Sequence, residues 1–369
     1  MIIQKLQLCK FRNYDSVEIY PNEQLNLFIG KNASGKTNLL ESISMVLTGK
    51  SFKTNRDVQM INFDEEDASI LSKVLIDGLD IDLELNISKS SKKKIKINGN
   101  DVKRVSELTE NTSIVIFTPE DLELIKEGPA LRRKFIDGLI SSVNLIYSYN
   151  LSRYKKILND RNDLLKNPRR NLDNDIMLGV YNIQISTLGN YIINERVRFI
   201  EILNKIAKIE HSKISDNREE LNIVYNSNIN RETEGKSNQE KEYLRQLENS
   251  IQRDKYYRNT NLGPHRDDIE FYINGKDLKI YGSQGQQRSV ILSLKLSEAI
   301  LYKMFKNISP IIILDDVFSE LDIIRREKLI SSVENYQTFI SMTDDMKVDE
   351  FNKYEKSIYS IKDREVEKL

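Results

Sequence analysis

The chain has 369 residues, of which 39% are hydrophobic and 30% charged, the composition of a soluble globular protein with room for about two domains. Lysine plus arginine and aspartate plus glutamate are both 56, so net charge gives no support for a nucleic-acid partner, and that case must rest on local patches. One cysteine excludes an internal disulfide, two histidines disfavour a zinc site, and the lack of a signal peptide or a membrane-length apolar run leads us to expect a cytoplasmic protein with no membrane partner.

The first 120 residues are predicted to be mostly strand, because segments of alternating polarity follow one another between turn residues. Cys9 falls in the first segment and is expected to lie in the core. The apolar run "QLNLFIG" leads directly into the helical sequence "KTNLLESISMVL". Further predicted strands are "SILSKVLI", "DIDLELNI", "KKIKI", which precedes the hairpin-type turn "NGN", and "TSIVIFTPEDL".

Helical periodicity dominates from Asp121 to about Lys255, where Leu, Ile and Tyr recur at spacings of three and four. These positions hold no long heptad pattern, so a short helical arm is predicted and not a long coiled coil. Strand character returns at "NLGPHRDDIEFYI" and continues in "PIIILDDV" and "QTFISM". The predicted fold class is α/β, with a head made of residues 1–120 and 256–369 and an inserted helical arm of residues 121–255.

A phosphate loop is predicted at "GKNASGKT", Gly30 to Thr37, which matches G-x-x-x-x-G-K-[ST] between a strand and a helix. Backbone N–H groups of such a loop surround the β- and γ-phosphates at the positive end of the helix. We expect Lys36 to contact the phosphates and serve catalysis, and the Thr37 hydroxyl to bind Mg²⁺. The alternative is a glycine-rich turn with an incidental lysine. The residues expected to bind ATP here are Gly30, Lys31, Asn32, Ala33, Ser34, Gly35, Lys36, Thr37 and Asn38.

An acidic pair, Asp315 and Asp316, follows the apolar run "IIIL", which is typical of a central parallel strand. Ligands bind at the carboxyl ends of the strands in parallel sheets, so we expect Asp315 to hold Mg²⁺. Asp316 is expected to orient or deprotonate the attacking water. The alternative is a pair of aspartates that caps the following loop.

A second candidate anion site is the helix start in "YGSQGQQRSV", Tyr281 to Val290. Ser283 offers a hydroxyl, and Gly285 offers a backbone N–H at a helix N-terminus. Ser283 and Gln286 also form the capping-box pattern S-x-x-Q, so an ordinary capped helix is the alternative. Both interpretations can hold together, because a capped N-terminus is also an anion site.

The order of phosphate loop, helix start and acidic strand end resembles the ABC-type ATPase head, made of a phosphate-loop sheet and an antiparallel β subdomain. The resemblance implies that Ser283, Gly285 and Gln286 complete the ATP site of a second subunit, so that ATP forms a homodimer. It also identifies "SELD", which begins at Ser319, as a loop at the dimer seam.

Two departures from the ABC pattern are visible. No switch histidine follows "QTFISM", and Thr343 stands near its place. Asp316 stands where transporters have glutamate, and the shorter side chain predicts slow ATP hydrolysis, below about 10 turnovers per second.

Further stretches narrow the resemblance to the RecF family of the SMC/RecF group. "KFRNY" is similar to the basic/asparagine loop of SMC-type heads, which implies that Arg12 and Asn13 lie near the nucleotide. The family implies an ATP-dependent dimer that binds double- and single-stranded DNA at gaps and junctions. It further implies action with RecO and RecR in loading recombinase during DNA repair and the SOS response. The other stretches that carry the resemblance are "FTPEDLELIKEGPALRRKFID", "RYKKILNDRNDLLK", "GPHRDDIEF" and "GSQGQQRS".

Two other functions use the same motifs, an SMC-like head and a transporter ATPase subunit. The first needs long heptads leading to a hinge, and the second needs membrane partner helices. The size and periodicity of the insert disfavour both.

Candidate DNA-binding residues lie in the basic hairpin edge "KSSKKKIKI" and in "LRRKF" and "PRR" of the arm. A solvated face, or strand-edge lysines that block aggregation, is the alternative. The hairpin lysines are Lys89, Lys92, Lys93, Lys94 and Lys96.

The motif "GPHRDD" places His265, Arg266, Asp267 and Asp268 in a turn that enters a strand. A catalytic histidine beside two carboxylates is one interpretation. We favour a structural ion pair between Arg266 and an aspartate at the junction of arm and head.

Overall fold

The computed structural model describes residues 1–166, 173–231, 236–343 and 351–369. Contacts between residues group the chain into two compact units. The head unit comprises Met1–Asp121, Lys213–Asp216 and Arg288–Leu369, and the arm unit comprises Leu122–Ser212 and Asn217–Gln287. None of the described helices is long and apolar enough to span a membrane.

The N-terminal part of the head unit is mostly strand, as predicted. Burial alternates along β4, so one face of that strand lies on the core, whereas β3 is buried on both faces. Its strands are β1 Ile2–Phe11, β2 Tyr14–Ile19, β3 Leu25–Ile29, β4 Asp67–Ile76, β5 Leu79–Ser88, β6 Lys94–Ile97, β7 Asn100–Asp101 and β8 Ile114–Phe117. Its helices are α1 Lys36–Thr48 and α2 Val105–Asn111, with a 3₁₀ turn at Asp57–Met60.

An antiparallel sheet in the order β2-β1-β4-β5-β6-β7 forms one layer of the head unit. The turn predicted at "NGN" joins β6 to β7. The prediction that Cys9 lies in the core was wrong, because the side chain is exposed. Leu6 and Leu8 face the core, and strand alternation turns Cys9 to the other face.

The arm unit is mainly helical and also contains a small antiparallel sheet, β11-β10-β9. The helix α10 begins in the arm unit and ends in the head unit. A 3₁₀ turn at Pro119–Leu122 precedes the arm. The elements from there on are α3 Glu123–Lys126, α4 Pro129–Val143, α5 Leu145–Lys166, α6 Asp173–Ile214, β9 Leu221–Asn226, α7 Lys236–Asn249, α8 Ile251–Tyr257, β10 Asp268–Ile273, β11 Lys276–Asp277, α9 Leu278–Tyr281 and α10 Gln284–Lys306.

The predicted boundary between residues 255 and 256 stays a prediction. In the structure, residues 256–287 group with the arm unit, because β10 pairs along its whole length with β9. The strand β9 was not predicted from the sequence; it follows the long helix α6 after a short turn.

Buried ion pairs hold the arm helices together. Arg161 on α5 and Asp254 on α8 are both fully buried, and their charged atoms lie 2.9 Å apart. Other donors of Arg161 reach Asn182 and Thr260 at 2.9 and 2.8 Å. A buried charge is tolerated only with such partners, so this pair fixes the packing of three arm helices and the following loop.

A mixed sheet in the order β15-β14-β3-β13-β12-β8 forms the second layer of the head unit, and only β15 runs antiparallel to its neighbour. Its core includes Phe28, whose ring lies 6.0 Å from that of Phe339 and 5.4 Å from that of Tyr359. Here the strand β3 joins segments from both ends of the chain. The elements after α10 are β12 Ile311–Leu314, a 3₁₀ turn Phe318–Glu320, α11 Ile323–Val333, β13 Thr338–Met342, β14 Lys356–Lys362 and β15 Glu365–Lys368.

Candidate functional site

The loop between β3 and α1 is shaped by its glycines. Gly35 has φ 115°, and a Cβ there would lie 2.6 Å from Asn13 Nδ2 and 2.7 Å from the Tyr14 hydroxyl oxygen. A Cβ on Gly30 would lie 2.4 Å from the carbonyl oxygen of Ile361 on β14. Both positions therefore require glycine, and the chain passes close to its neighbours while curving round the start of α1.

Lys36 folds back over this loop. Its buried Nζ donates hydrogen bonds to the carbonyl oxygens of Gly30 and Lys31, at 2.6 and 2.8 Å. The buried Ser34 Oγ and Tyr14 hydroxyl have no hydrogen-bond partner within the described part of the chain. A loop backbone that surrounds the Lys36 ammonium group, together with the Ser34 hydroxyl, suits the phosphates of a nucleotide.

Thr37 and the acidic strand end meet at the carboxyl edge of the mixed sheet. Thr37 Oγ1 donates to Asp315 Oδ1 at 3.0 Å, and Ser341 Oγ donates to the same oxygen at 2.8 Å. Burial raises the pKa of Asp315, and the two hydroxyls partly oppose that shift. A threonine hydroxyl beside a carboxylate is a donor set that suits Mg²⁺.

Asp316 lies next to this group but faces solvent. Its backbone has φ 54°, in the left-handed region, and its N–H donates to Ser341 Oγ at 2.8 Å. Ser319 Oγ donates to the carbonyl oxygen of Asp316 at 2.8 Å. These contacts hold the backbone of Asp316 in the left-handed region, which only a minority of residues other than glycine adopt.

The strand β13 lies between β3 and β12 in the sheet. It carries Ser341 and ends one residue before the half-buried Thr343. Thr343 thus follows a strand at the same edge as the phosphate loop and the acidic pair. Sequence reasoning missed Ser341, because only the strand order shows which residue stands beside Asp315.

Asn13 contacts the phosphate loop and the residue that follows it. Its Oδ1 accepts a hydrogen bond from Asn38 Nδ2 at 2.7 Å, and its Nδ2 donates to the carbonyl oxygen of Ser34 at 3.4 Å. Arg12 instead makes two hydrogen bonds of 2.9 Å to Glu41, which is fully buried on α1. The hydroxyl of Ser51 also binds Glu41. Arg12 therefore anchors α1 to β1, a role that its motif did not indicate.

The capping box predicted before α10 is present. Gln286 N donates to Ser283 Oγ at 3.2 Å, and Ser283 N donates to Gln286 Oε1 at 2.9 Å. Gln286 Nε2 also donates to Glu219 Oε1 at 3.0 Å. Ser283, Gly285 and Gln286 belong to the arm unit, whereas the phosphate loop belongs to the head unit. The capped helix start is accessible from solvent, because Ser283 is exposed and Gly285 is half-buried.

The hairpin lysines differ in their surroundings. Lys93 Nζ donates to the Gly49 carbonyl oxygen at 2.6 Å and lies 3.1 Å from Asp57. Lys89 pairs with Glu66 at 3.6 Å, and Lys96 pairs with Glu84 at 3.6 Å.

Lys92 and Lys94 have no hydrogen-bond or ion-pair partner among the residues that the structure describes. Both are exposed and share a surface cleft with Asp64, Glu65, Glu66, Asp67 and Asp101, but they pair with none of these carboxylates, so their ammonium groups can meet a phosphate. The "PRR" segment of the arm lies outside the described residues.

His265 is held as a neutral ring. Burial lowers its pKa to about 4. Its Nε2 lies 3.0 Å from the Thr260 carbonyl oxygen, which can only accept, so Nδ1 accepts from the Tyr154 hydroxyl at 2.7 Å. Neither ring nitrogen is left for proton transfer to a carboxylate, which supports the structural interpretation.

The prediction that Arg266 pairs with an aspartate of "GPHRDD" was wrong. Arg266 points to the Thr260 carbonyl oxygen, and Asp268 instead pairs with Arg132 at 2.7 and 2.9 Å. Asp267 is bonded by the Tyr225 hydroxyl and by Asn228 N. All of these residues belong to the arm unit.

Comparisons with known proteins relate the chain to one family. Residues 2–365 match the family described as RecF/RecN/SMC N terminal domain. The chain is 40% identical over 361 residues to the DNA replication and repair protein RecF of Clostridium acetobutylicum, covering 98% of this chain and 97% of the relative. The corresponding protein of Alkaliphilus oremlandii is 41% identical over 344 residues, which are 93% of each chain.

Solved structures agree with these sequence matches. One of them is the "recombination mediator protein RecF-ATPrS in RecFOR pathway", with a TM-score of 0.89, 34% identity and coverage of 100% of this chain and 98% of the other. A crystal structure of "the SmcHead bound to the C-winged helix domain of ScpA" has a TM-score of 0.59 at 15% identity, over 100% of this chain and 97% of the other. The second likeness concerns the fold alone.

Proposed function

The chain belongs to the RecF family of DNA replication and repair proteins, and from that premise we propose that it is an ATP-switched, DNA-binding recombination mediator. Its fold is that of an ABC-type ATPase head with a helical insertion. The observation that carries the proposal is the hydrogen bond of 3.0 Å between Thr37 and Asp315, which joins the phosphate loop to the acidic strand end.

The residues of the head unit have different roles in binding and hydrolysing the nucleotide. The backbone of Gly30–Thr37 and the ammonium of Lys36 bind the phosphates of ATP, beside Asn13 and Asn38. Thr37 and Asp315 hold Mg²⁺, which when bound neutralises charge on the phosphates. Asp316, at the solvent side of this group, orients the attacking water or takes its proton. The carboxylate is one methylene shorter than glutamate, so we expect hydrolysis slower than about 10 per second.

Ser283, Gly285 and Gln286 of one molecule complete the ATP site of a second molecule. The support is that the helix start is accessible and already arranged by its capping box. Two pairs of apolar side chains beside the relevant loops are also exposed: Ile280 and Tyr281 next to Ser283, and Ile323 and Ile324 after the "SELD" loop. Exposed apolar groups of this kind are typical of interaction surfaces.

DNA binding at gaps or junctions, action with RecO- and RecR-type partners and the loading of recombinase are parts of the same proposal. A relative's structure is described in the RecFOR pathway, which supports the choice of partners. ATP stabilises the closed dimer only through interactions that form on closure, and hydrolysis removes them. The change from the ATP-bound to the hydrolysed state then acts as a timer for a DNA–protein assembly.

Sedimentation velocity of the Asp316→Asn protein with a fluorescent gapped duplex tests the proposal. We expect a DNA-bound dimer with Mg·ATP and a monomer with Mg·ADP. A species of the same mass with both nucleotides would contradict the switch.

The signature assignment has its own test in Ser283→Arg. The variant should bind ATP normally and stay monomeric, because the arginine blocks the helix start from outside. Ser152→Arg, at an exposed serine on α5, is the matched control and should dimerise like the parent. ATP-dependent dimers of Ser283→Arg would show that the helix start is only a capped helix.

A further inference from the structure

A cavity of about 450 Å³ lies within the arm unit, between α4, α5, α6 and the turn that precedes β10. Its volume is in the range of pockets that bind small ligands or a few side chains. The cavity includes His265 of the "GPHRDD" motif, and the nucleotide chemistry of the head unit does not use it.

The cavity carries an excess of positive charge. Arg196 is neutralised by two hydrogen bonds to Asp137, at 2.9 and 3.0 Å. Arg133 donates to the backbone oxygen of Asp267 at 2.7 Å and keeps its remaining donors, while burial lowers its pKa. Lys134 and Lys155 are exposed and have no partner within the described ranges.

The nearby carboxylates do not cancel this charge. Asp268 is taken by Arg132, and Asp267 is bonded by Tyr225 and Asn228 and does not line the cavity. His265 adds no charge at neutral pH, because its pKa lies near 4. The lining thus presents three cations, Arg133, Lys134 and Lys155, to whatever enters.

Part of the cavity lining is apolar. Ala130, Leu151 and Pro264 contribute aliphatic surface, and Gly138 leaves space on α4. Tyr154 and His265 are the aromatic residues of the lining. Only 1% of Tyr154 is exposed and its hydroxyl is bonded to His265, so Tyr154 offers no open ring face on which a nucleobase could stack.

We propose that this arm cavity binds an acidic peptide segment of a partner protein, with an apolar side chain against Ala130, Leu151 and Pro264 and flanking carboxylates at Arg133, Lys134 and Lys155. Charge-assisted hydrogen bonds to carboxylates are the strong contacts of such a site. An apolar anchor in a pocket with a charged rim supplies both affinity and orientation. The phosphates of a duplex have no apolar group to contact Ala130, Leu151 and Pro264.

Fluorescence anisotropy with the full-length protein tests the site. The probe is a fluorescein-labelled heptapeptide of six aspartates around a central leucine. One control peptide replaces the aspartates by lysines, and another replaces the leucine by glycine. We expect binding of the first peptide only, weakened at least about 10-fold by Lys134→Glu with Lys155→Glu, since each lost charged contact is worth about a factor of ten.

The matched control is Lys205→Glu with Lys241→Glu, at exposed lysines on α6 and α7. It should leave binding within about 2-fold of the parent, because the same charge is lost elsewhere in the arm unit. An equal loss in both double variants would mean that the net charge of the arm attracts the peptide and would overturn the proposal.

Gly138→Leu tests the volume of the cavity while its charged residues stay unchanged. A Cβ at Gly138 meets no atom within 4 Å, so the variant should fold and fill the cavity from α4. We expect it to weaken peptide binding at least about 10-fold with normal ATP binding. Unchanged peptide binding would exclude the cavity. Tighter binding of a labelled heptathymidylate, lost in the same variants, would make the site one for nucleic acid and also overturn the proposal.

Discussion

Thr37 and Asp315 lie 278 positions apart in the chain, yet their side-chain oxygens are 3.0 Å apart. Ser341, on the strand β13, donates to the same carboxylate oxygen at 2.8 Å. The candidate metal ligands are therefore brought together by the fold itself. A site prearranged in this way loses little free energy to ordering its side chains on binding.

The hydroxyl of Ser341 is expected to tune Mg²⁺ binding through Asp315. We predict that Ser341→Ala weakens Mg²⁺ affinity by about 10- to 100-fold, the usual effect of removing an outer hydrogen bond to a metal ligand. Fluorescence of a labelled ATP analogue, titrated with Mg²⁺, measures this. Ser297→Ala, which removes a buried serine hydroxyl within α10, should leave the titration unchanged. An unaltered Mg²⁺ dependence of Ser341→Ala would argue against Asp315 as the ligand.

Arg12 is predicted to act on stability more than on ATP affinity. Arg12→Ala leaves the buried Glu41 without its ion pair, which should cost about 3 kcal/mol in the free energy of unfolding. Adding Glu41→Gln should recover part of that loss, because the uncompensated charge is gone. Urea unfolding measures both effects, and Arg56→Ala, at an exposed arginine, is the control. Weaker ATP binding with unchanged unfolding would instead indicate a phosphate contact.

We expect the hairpin lysines to have two different roles, DNA binding and stability of the fold. If Lys92 and Lys94 contact DNA phosphates, their joint replacement by alanine reduces the slope of log affinity against log salt by about 1 per lost contact. Lys93→Ala should keep the slope and lower stability by roughly 1 kcal/mol, because Lys93 is bonded to Gly49 and Asp57. Binding titrations at several salt concentrations measure the slopes. An equal effect of all three lysines on the slope would refute the division.

His265 should make the arm sensitive to acid. Its pKa is about 4 in the folded protein and near 6.5 when unperturbed, so the unfolded state binds more protons between these values. The stabilising contribution, about 3 kcal/mol, is complete above pH 6.5 and is lost as the pH falls through 4. Unfolding free energies across this range should fall less steeply in His265→Gln. The ring signals of His265 in NMR spectra should not titrate between about pH 5 and 8.

The sequence could predict those parts of the site whose residues are adjacent in the chain. Gly30 to Thr37 form one motif, and Asp315 follows a run of aliphatic residues that marks a central strand. The fold class and the family were confirmed by the comparisons. The roles given to individual site residues stay predictions.

What the sequence could not show depends on contacts across long separations. Ser341 stands beside Asp315 only because β13 pairs with β12, and Glu41 meets Arg12 only because α1 packs on β1. Arg132, not Arg266, reaches Asp268 because the helix α4 places it there, and sequence distance favoured the wrong arginine. The burial of Cys9 was predicted wrongly, because alternating polarity defines the two faces of a strand but not which of them is buried.

The position of β3 in the mixed sheet has a consequence for synthesis. Its neighbours β13 and β14 pair with it through Thr338 and Lys356, opposite Leu25. A ribosome adding about 5 to 20 residues per second leaves β3 without either neighbour for roughly 15 to 60 seconds. The arm unit is complete in the nascent chain before those strands are made. A chain broken off before β13 therefore carries the phosphate-loop sequence but cannot form the sheet that shapes it, so ATP binding reports that translation has run through the final strands.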